Sequence, residues 1–187
     1  MVTKELTIDN YRDFLDLMQS SESSKRCMCM WWIISVKDYH ANGHEGNARQ
    51  FYRLLETEKH PMGILAYDNE VAVAWCACGP RTRYARAIKT PTFKGRDMKE
   101  DEKVWLIPCF YIRQDYRGTE LTEVLIQEAV RCAQKNGAKA IEGFPFCTNK
   151  KISSGDIQVG FDTAFEKQGF KHNRQNSSQR VVVRLDL

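Results

Sequence analysis

The stretch from Trp105 to Gly137, WLIPCFYIRQDYRGTELTEVLIQEAVRCAQKNG, constrains the chain more than any other: an apolar run passes through an Arg-Gly turn straight into an amphipathic helix. The spacing predicts a helix from Thr119 to about Gln134, with Leu121, Val124, Leu125, Ala129, Cys132 and Ala133 on its apolar face. Glu120 and Glu123 lie near the positive end of its dipole, Arg131 and Lys135 near the negative end, and Asn136-Gly137 terminates it. A helix entered directly from a strand presents unpaired amides to an anion, and Gly118 lets a phosphate come close to the backbone. Pro108 lacks a ladder donor inside the strand, which implies an edge, a bulge or a place where neighbouring strands part. A gap beside an anion-binding helix is a ligand cleft.

The rest of the chain alternates helices with β-prone segments. Residues 2 to 8 read as a short strand, and Asp9 or Asn10 caps a helix with Tyr11, Phe14, Leu15 and Met18 on one face. SSESSKR reads as a polar loop, CMCMWWIISV as a buried strand, DYHANGHEG as a loop, and GNARQFYRLLETEK as a helix stopped by Pro61. GILAYDNEVAVAWCACGP is a hairpin turning at Asp68-Asn69-Glu70. Arg81 to Lys103 is a long basic connection, either lining a substrate site or a solvated excursion. AKAIEGFPF is a further strand, CTNKKISSGD a polar loop, QVGFDTAFEKQ a short helix closed by Gly169, and FKHNRQ and RVVVRLDL two final strands. The order predicts one α/β domain over residues 1–187, a mixed sheet covered by helices on both faces.

A net charge of +4 with interspersed signs makes no strong case for nucleic acid and suits an anionic ligand. The N-terminus has no apolar signal core and no run is long enough to span a bilayer, so the expected location is cytoplasmic. The seven cysteines read as reduced core thiols, and Cys27-x-Cys29 and Cys76-x-Cys78 as strand residues ahead of a metal site. His40 and His44 belong to a loop rather than to a ligand set, and no metal is expected.

The run from Ile112 to Leu125 resembles the core motif of the GCN5-related N-acetyltransferase superfamily, Val-x-Pro-x-x-Arg-Gly-x-Gly-x-Gly/Ala-x-x-Leu, and the order of elements fits over nearly the whole chain, down to AFEKQGFKHNRQ. The resemblance implies a GNAT-like fold, with a central, mostly antiparallel twisted sheet of about six or seven strands. It also implies acetyl-CoA as co-substrate. Carried over by position, it assigns Phe110, Tyr111 and Ile112 to the pantetheine arm, and Arg117, Gly118, Thr119, Glu120, Leu121 and Thr122 to the pyrophosphate. Asp115 stands where the family favours Gln or Arg, Glu120 replaces the second glycine, and Thr122 the third small residue. Phe165 stands where many members have the Tyr that serves as general acid.

The activity so implied is transfer of acetyl from acetyl-CoA to the primary amine of a small molecule. A main-chain N–H near Phe110 is the candidate donor to the carbonyl oxygen. Glu142 is the candidate base, with pairing to Lys139 or a neighbouring Arg as its alternative, and Tyr111, Cys147 or water would protonate the thiolate. Cys109 reads as a buried thiol rather than an acetyl carrier. Trp31, Trp32, Tyr39 and Trp75 are either core or walls of an acceptor pocket. A homodimer is compatible with this reading. The rivals are a catalytically weakened CoA- or metabolite-binding module and an RNA- or protein-contacting use of the basic loop.

Overall fold

The computed structural model describes residues 1–147 and 157–187; most of the expected polar loop CTNKKISSGD lies outside them. The strands are β1 (Val2–Glu5), β2 (Gly63–Asp68), β3 (Val71–Pro80), β4 (Val104–Ile112), β5 (Ala140–Gly143), β6 (Lys171–Arg174) and β7 (Val182–Asp186). The helices are α1 (Tyr11–Met18), α2 (Glu22–Cys27), α3 (Val36–Thr57), α4 (Leu121–Lys135) and α5 (Asp162–Glu166). One seven-stranded sheet has the order β1-β2-β3-β4-β5-β7-β6, and β4–β5 is its parallel pair. Among the described residues no helix is long and apolar enough to cross a membrane.

Each face of the sheet buries its own core. Helices α1 to α3 cover one face, where Phe14 stacks on Phe51 at 4.6 Å and meets Trp75 edge-on at 4.8 Å. Helices α4 and α5 cover the other, burying Leu125, Ile126, Phe165 and Phe170 against Cys76, Cys78, Ile107 and Phe110. The expected hairpin forms as β2–β3, and Asn69 takes the left-handed φ of 53° that its turn demands.

Three expectations fail between residues 20 and 47. SSESSKR is helical as α2: the Ser21 hydroxyl accepts from Ser24 N at 3.2 Å, and the Ser24 hydroxyl donates to Met18 O at 2.6 Å. CMCMWWIISV is buried but is not a strand, because Met28 and Cys29 take φ of 43° and 57° and fold the run into successive turns. An apolar run this short satisfies a core in either form. DYHANGHEG lies within α3, which Ser35 caps and which breaks at Gly43 (φ 58°, ψ −168°). Buried Asn47, donating to Arg26 O and Tyr39 O, then ties α3 to the end of α2.

Strand β4 does most to position the site. Its register against β3 runs Ala77↔Cys109 and then Gly79↔Leu106, so two steps on β3 face three on β4. Pro108 sits in this bulge, where no ladder donor is required. The extra residue reverses the pleat: Leu106 and Cys109 both pack toward α1–α3, and Ile107 and Phe110 both toward α4. Pairing with β5 stops at the same place, the last partners being Ile107 and Gly143.

Candidate active site

Beyond Ile107 the two parallel strands part. Strand β5 continues as Phe144–Cys147, which turns to the β6–β7 connection through Val181 N→Pro145 O at 3.2 Å and Cys147 N→Gln179 O at 2.9 Å. The β4 edge from Cys109 to Ile112 has no strand partner on that side among the described residues. The 3₁₀ turn Ile157–Val159 packs against β4, and Gly160 O accepts from Phe146 N, so this segment borders the opening. Phe110 and Phe165 meet at 6.0 Å on the α4 side. On the other side stand Cys109, Tyr111, Phe144, Phe146 and Trp32.

The end of the β4 edge leads into the Arg-Gly turn. Gly118 has φ of 75°, which an L side chain rarely adopts, and it faces open space. The amides of Gly118, Thr119 and Glu120 make no main-chain hydrogen bond among the described residues, and they precede the positive end of α4. Arg117 folds back, its Nε donating to Ile112 O at 3.0 Å, and Thr119 Oγ1 donates to Tyr116 O at 2.7 Å. Glu120 is the exposed N-cap position and Thr122 is half-buried, while Leu121 is core. The cofactor-assigned residues thus fall on one continuous path, Phe110–Ile112 along the open edge and Arg117–Thr122 around the turn.

Of the two candidate catalytic residues, the structure separates Glu142 from the opening's open donors. Glu142 is fully buried and accepts from Arg81 Nη1 at 3.1 Å and Arg174 Nη2 at 3.0 Å, with Arg184 Nη1 at 3.5 Å. Both oxygens are engaged by guanidiniums, so the geometry is that of the paired alternative, with Arg184 on the adjacent β7. Tyr111 lies on the α1–α3 face with its hydroxyl 2.7 Å from Ser20 Oγ. Partial burial acts to raise its pKa, but hydrogen bonding to Ser20, Ser21 and Ser24 and the Arg117 charge outweigh that and hold it below the usual 10.

Other expectations sort cleanly. Phe165 is core, its ring packed over Gly143. The Cys109 thiol, hydrogen-bonded to the free Cys29 and buried, is pushed well up and stays protonated, whereas Cys29 is lowered by Cys109 and by Trp75 Nε1 at 3.0 Å. Trp75 is core, and Tyr39 packs edge-on against Trp31 at 5.0 Å. The basic connection is largely spent internally: Arg83 holds Glu58 and three carbonyls, Arg96 holds Asp101, and Arg81 holds Asp101 and Glu142. Sequence reasoning missed Ser20, Arg86 and Arg180, which reach the site from three distant segments and share no local pattern.

A sequence-family profile described as "Acetyltransferase (GNAT) family" matches residues 28–151. The chain belongs to the acetyltransferase (GNAT) family. No curated protein matches the sequence. Among solved structures, this GNAT chain is similar to ribosomal-protein-alanine N-acetyltransferase from Brucella melitensis, with a TM-score of 0.58 and 12% identity, covering 100% of both chains. It is similar to the PaiA N-acetyltransferase from Thermoplasma acidophilum in complex with coenzyme A (TM-score 0.55, 12% identity, 100% of this chain and 98% of that one). It is also similar to the GNAT domain of S. lividans PAT (TM-score 0.57, 12% identity, 99% and 89%). At these identities the likeness establishes the GNAT fold.

Proposed function

We propose that this GNAT protein transfers acetyl from acetyl-CoA to the primary amine of a small molecule. The observation that carries the reading is the open β4 edge that begins at the Pro108 bulge and ends in the free amides of Gly118–Glu120. An extended amide-bearing arm would pair with Phe110–Ile112 as an added strand, and its pyrophosphate would meet the turn and the helix dipole. The CoA complex of the Thermoplasma neighbour and the family membership support this assignment.

In this reading a β4 main-chain N–H near Phe110 donates to the thioester oxygen as it gains charge. The attacking nitrogen releases its proton to water, and Tyr111 gives its proton to the departing thiolate as the C–S bond breaks and is reprotonated from water through the Ser20 hydroxyl. Glu142 serves the scaffold. A second reading, a CoA- or metabolite-binding module, is favoured by the occupied Glu142 and the missing hydroxyl at Phe165.

Calorimetry with acetyl-CoA tests both readings, and absence of heat at millimolar cofactor rejects both. With binding in hand, thiol release is followed across amino acids, polyamines and aminoglycosides. Turnover supports the enzyme; binding without turnover on any of them supports the module.

A further inference from the structure

On the α1–α3 side of the opening, two arginines lie against a pair of tryptophans. The Arg86 guanidinium carbon is 3.4 Å from the Trp31 ring centre and 5.8 Å from that of Trp32. Arg180 approaches Trp32 from the β6–β7 connection, also at 5.8 Å, and lies 5.8 Å from Phe144 and 4.6 Å from Phe146. Trp32 meets Phe144 edge-on at 5.1 Å, and Phe144 is the first residue after the last β4–β5 pair. The cluster therefore stands where the strands part.

Two features of the cluster set it apart from the carboxylate-bound arginines of the basic connection and the Glu142 network. Arg81, Arg83, Arg96, Arg174 and Arg184 each hold a carboxylate. Arg86 instead has only a carbonyl, donating from Nη1 to Trp31 O at 2.8 Å, and no carboxylate stands within ion-pair distance among the described residues. Burial depresses its pKa below the usual arginine value, a sign that its charge is partly desolvated. Trp32, 8% exposed, has an indole N–H with no acceptor among the described residues. A buried donor left unpaired is costly and calls for an explanation. A half-buried guanidinium and an unpartnered N–H beside one ring would repel a cationic group and bind an anionic one.

We propose that the amine acceptor carries a carboxylate, as an amino acid does, and that Arg86 and Trp32 Nε1, with Arg180 beside them, bind that carboxylate while the amine faces Cys109 and Tyr111. This rests on the acetyl-transfer reading and names its substrate class. Phe144, Phe146 and the Trp32 ring would wall the acceptor's side chain.

The test compares acceptors that differ only in the acid group: phenylalanine, phenylalaninamide and phenethylamine, and lysine beside cadaverine. The expected result is a KM at least tenfold lower for each amino acid than for its amide or decarboxylated partner. Trp32→Phe, which keeps a ring and removes the N–H, and Arg86→Gln should each collapse that ratio toward one. Equal use of the uncharged partners, or a ratio unmoved by both substitutions, overturns the proposal. If no amine is turned over, acetyl transfer fails, and tryptophan fluorescence titrations with N-acetylphenylalanine and its amide, without CoA, still decide the carboxylate site. Preference for the acid that is lost in both variants upholds the site, and no preference overturns it.

Discussion

The two halves of β4 share a strand conformation and differ in nearly everything else. From Val104 to Ile107 the strand is paired on both edges, and its neighbourhood ends in Glu142 held by three arginines. Among the described residues, from Cys109 to Ile112 it is paired with β3 alone, and it runs on to amides with no main-chain acceptor. In the first half every buried charge has its partner, which fixes the fold. In the second, backbone donors stand unpaired among the described residues, which is what the proposed cofactor site requires. A charged residue thus cannot be given a catalytic role because it lies near an opening; its partners decide.

The sharpest way to break this contrast is Glu142→Ala. It leaves Arg81, fully buried, without one of its carboxylates, and should lower the unfolding free energy by about 3–5 kcal/mol in a urea titration. A stable variant without turnover would instead make Glu142 the base. On the open half, Tyr111→Phe should reduce kcat by about 100-fold with the urea midpoint unchanged.

The pH profile sharpens the same point. Tyr111 must hold its proton, so turnover should fall as pH rises through its pKa, below 10. Ser20→Ala removes a hydrogen bond that favours the phenolate, and should move this alkaline limb to higher pH. At the boundary, Gly143→Ala puts a methyl 2.5 Å from Phe165 Cε1, and should cost about 1–3 kcal/mol of stability. The smallest effect is expected at Glu120→Gly, which should tighten acetyl-CoA binding by about two- to fivefold, the scale of one screened surface charge. Weaker binding would place the pyrophosphate elsewhere.

What the sequence disclosed was what is written locally. The β2–β3 hairpin has its turn residues in place, α4 has its apolar stripe and Asn136-Gly137 stop, and Pro108 announced a strand irregularity without saying which kind. The path from Phe110 to Thr122 was legible because it is contiguous. Helix α2 was hidden because its cap is a serine among serines, and the 28–34 turn because left-handed Met28 and Cys29 carry no mark in an apolar run. The partners of Glu142 come from positions 81, 174 and 184, and the guanidiniums around Trp32 from positions 86 and 180. No spacing rule joins residues so far apart; only the sheet does.

The bulge at Pro108 gives β4 two separate counting frames. Alternation counted from Val104 assigns Phe110 and Tyr111 to the wrong sides of the sheet; counted from Cys109 it assigns them correctly. Deleting Pro108 would restore a regular pleat and leave the two on their own sides, since Leu106, Ile107, Cys109 and Phe110 already alternate; what would go is the bulge at which β4 and β5 part. A residue lost or gained past an intact bulge would instead exchange them, so a strand redesigned for a new acceptor tolerates many changes of side chain but no change of length beyond the bulge.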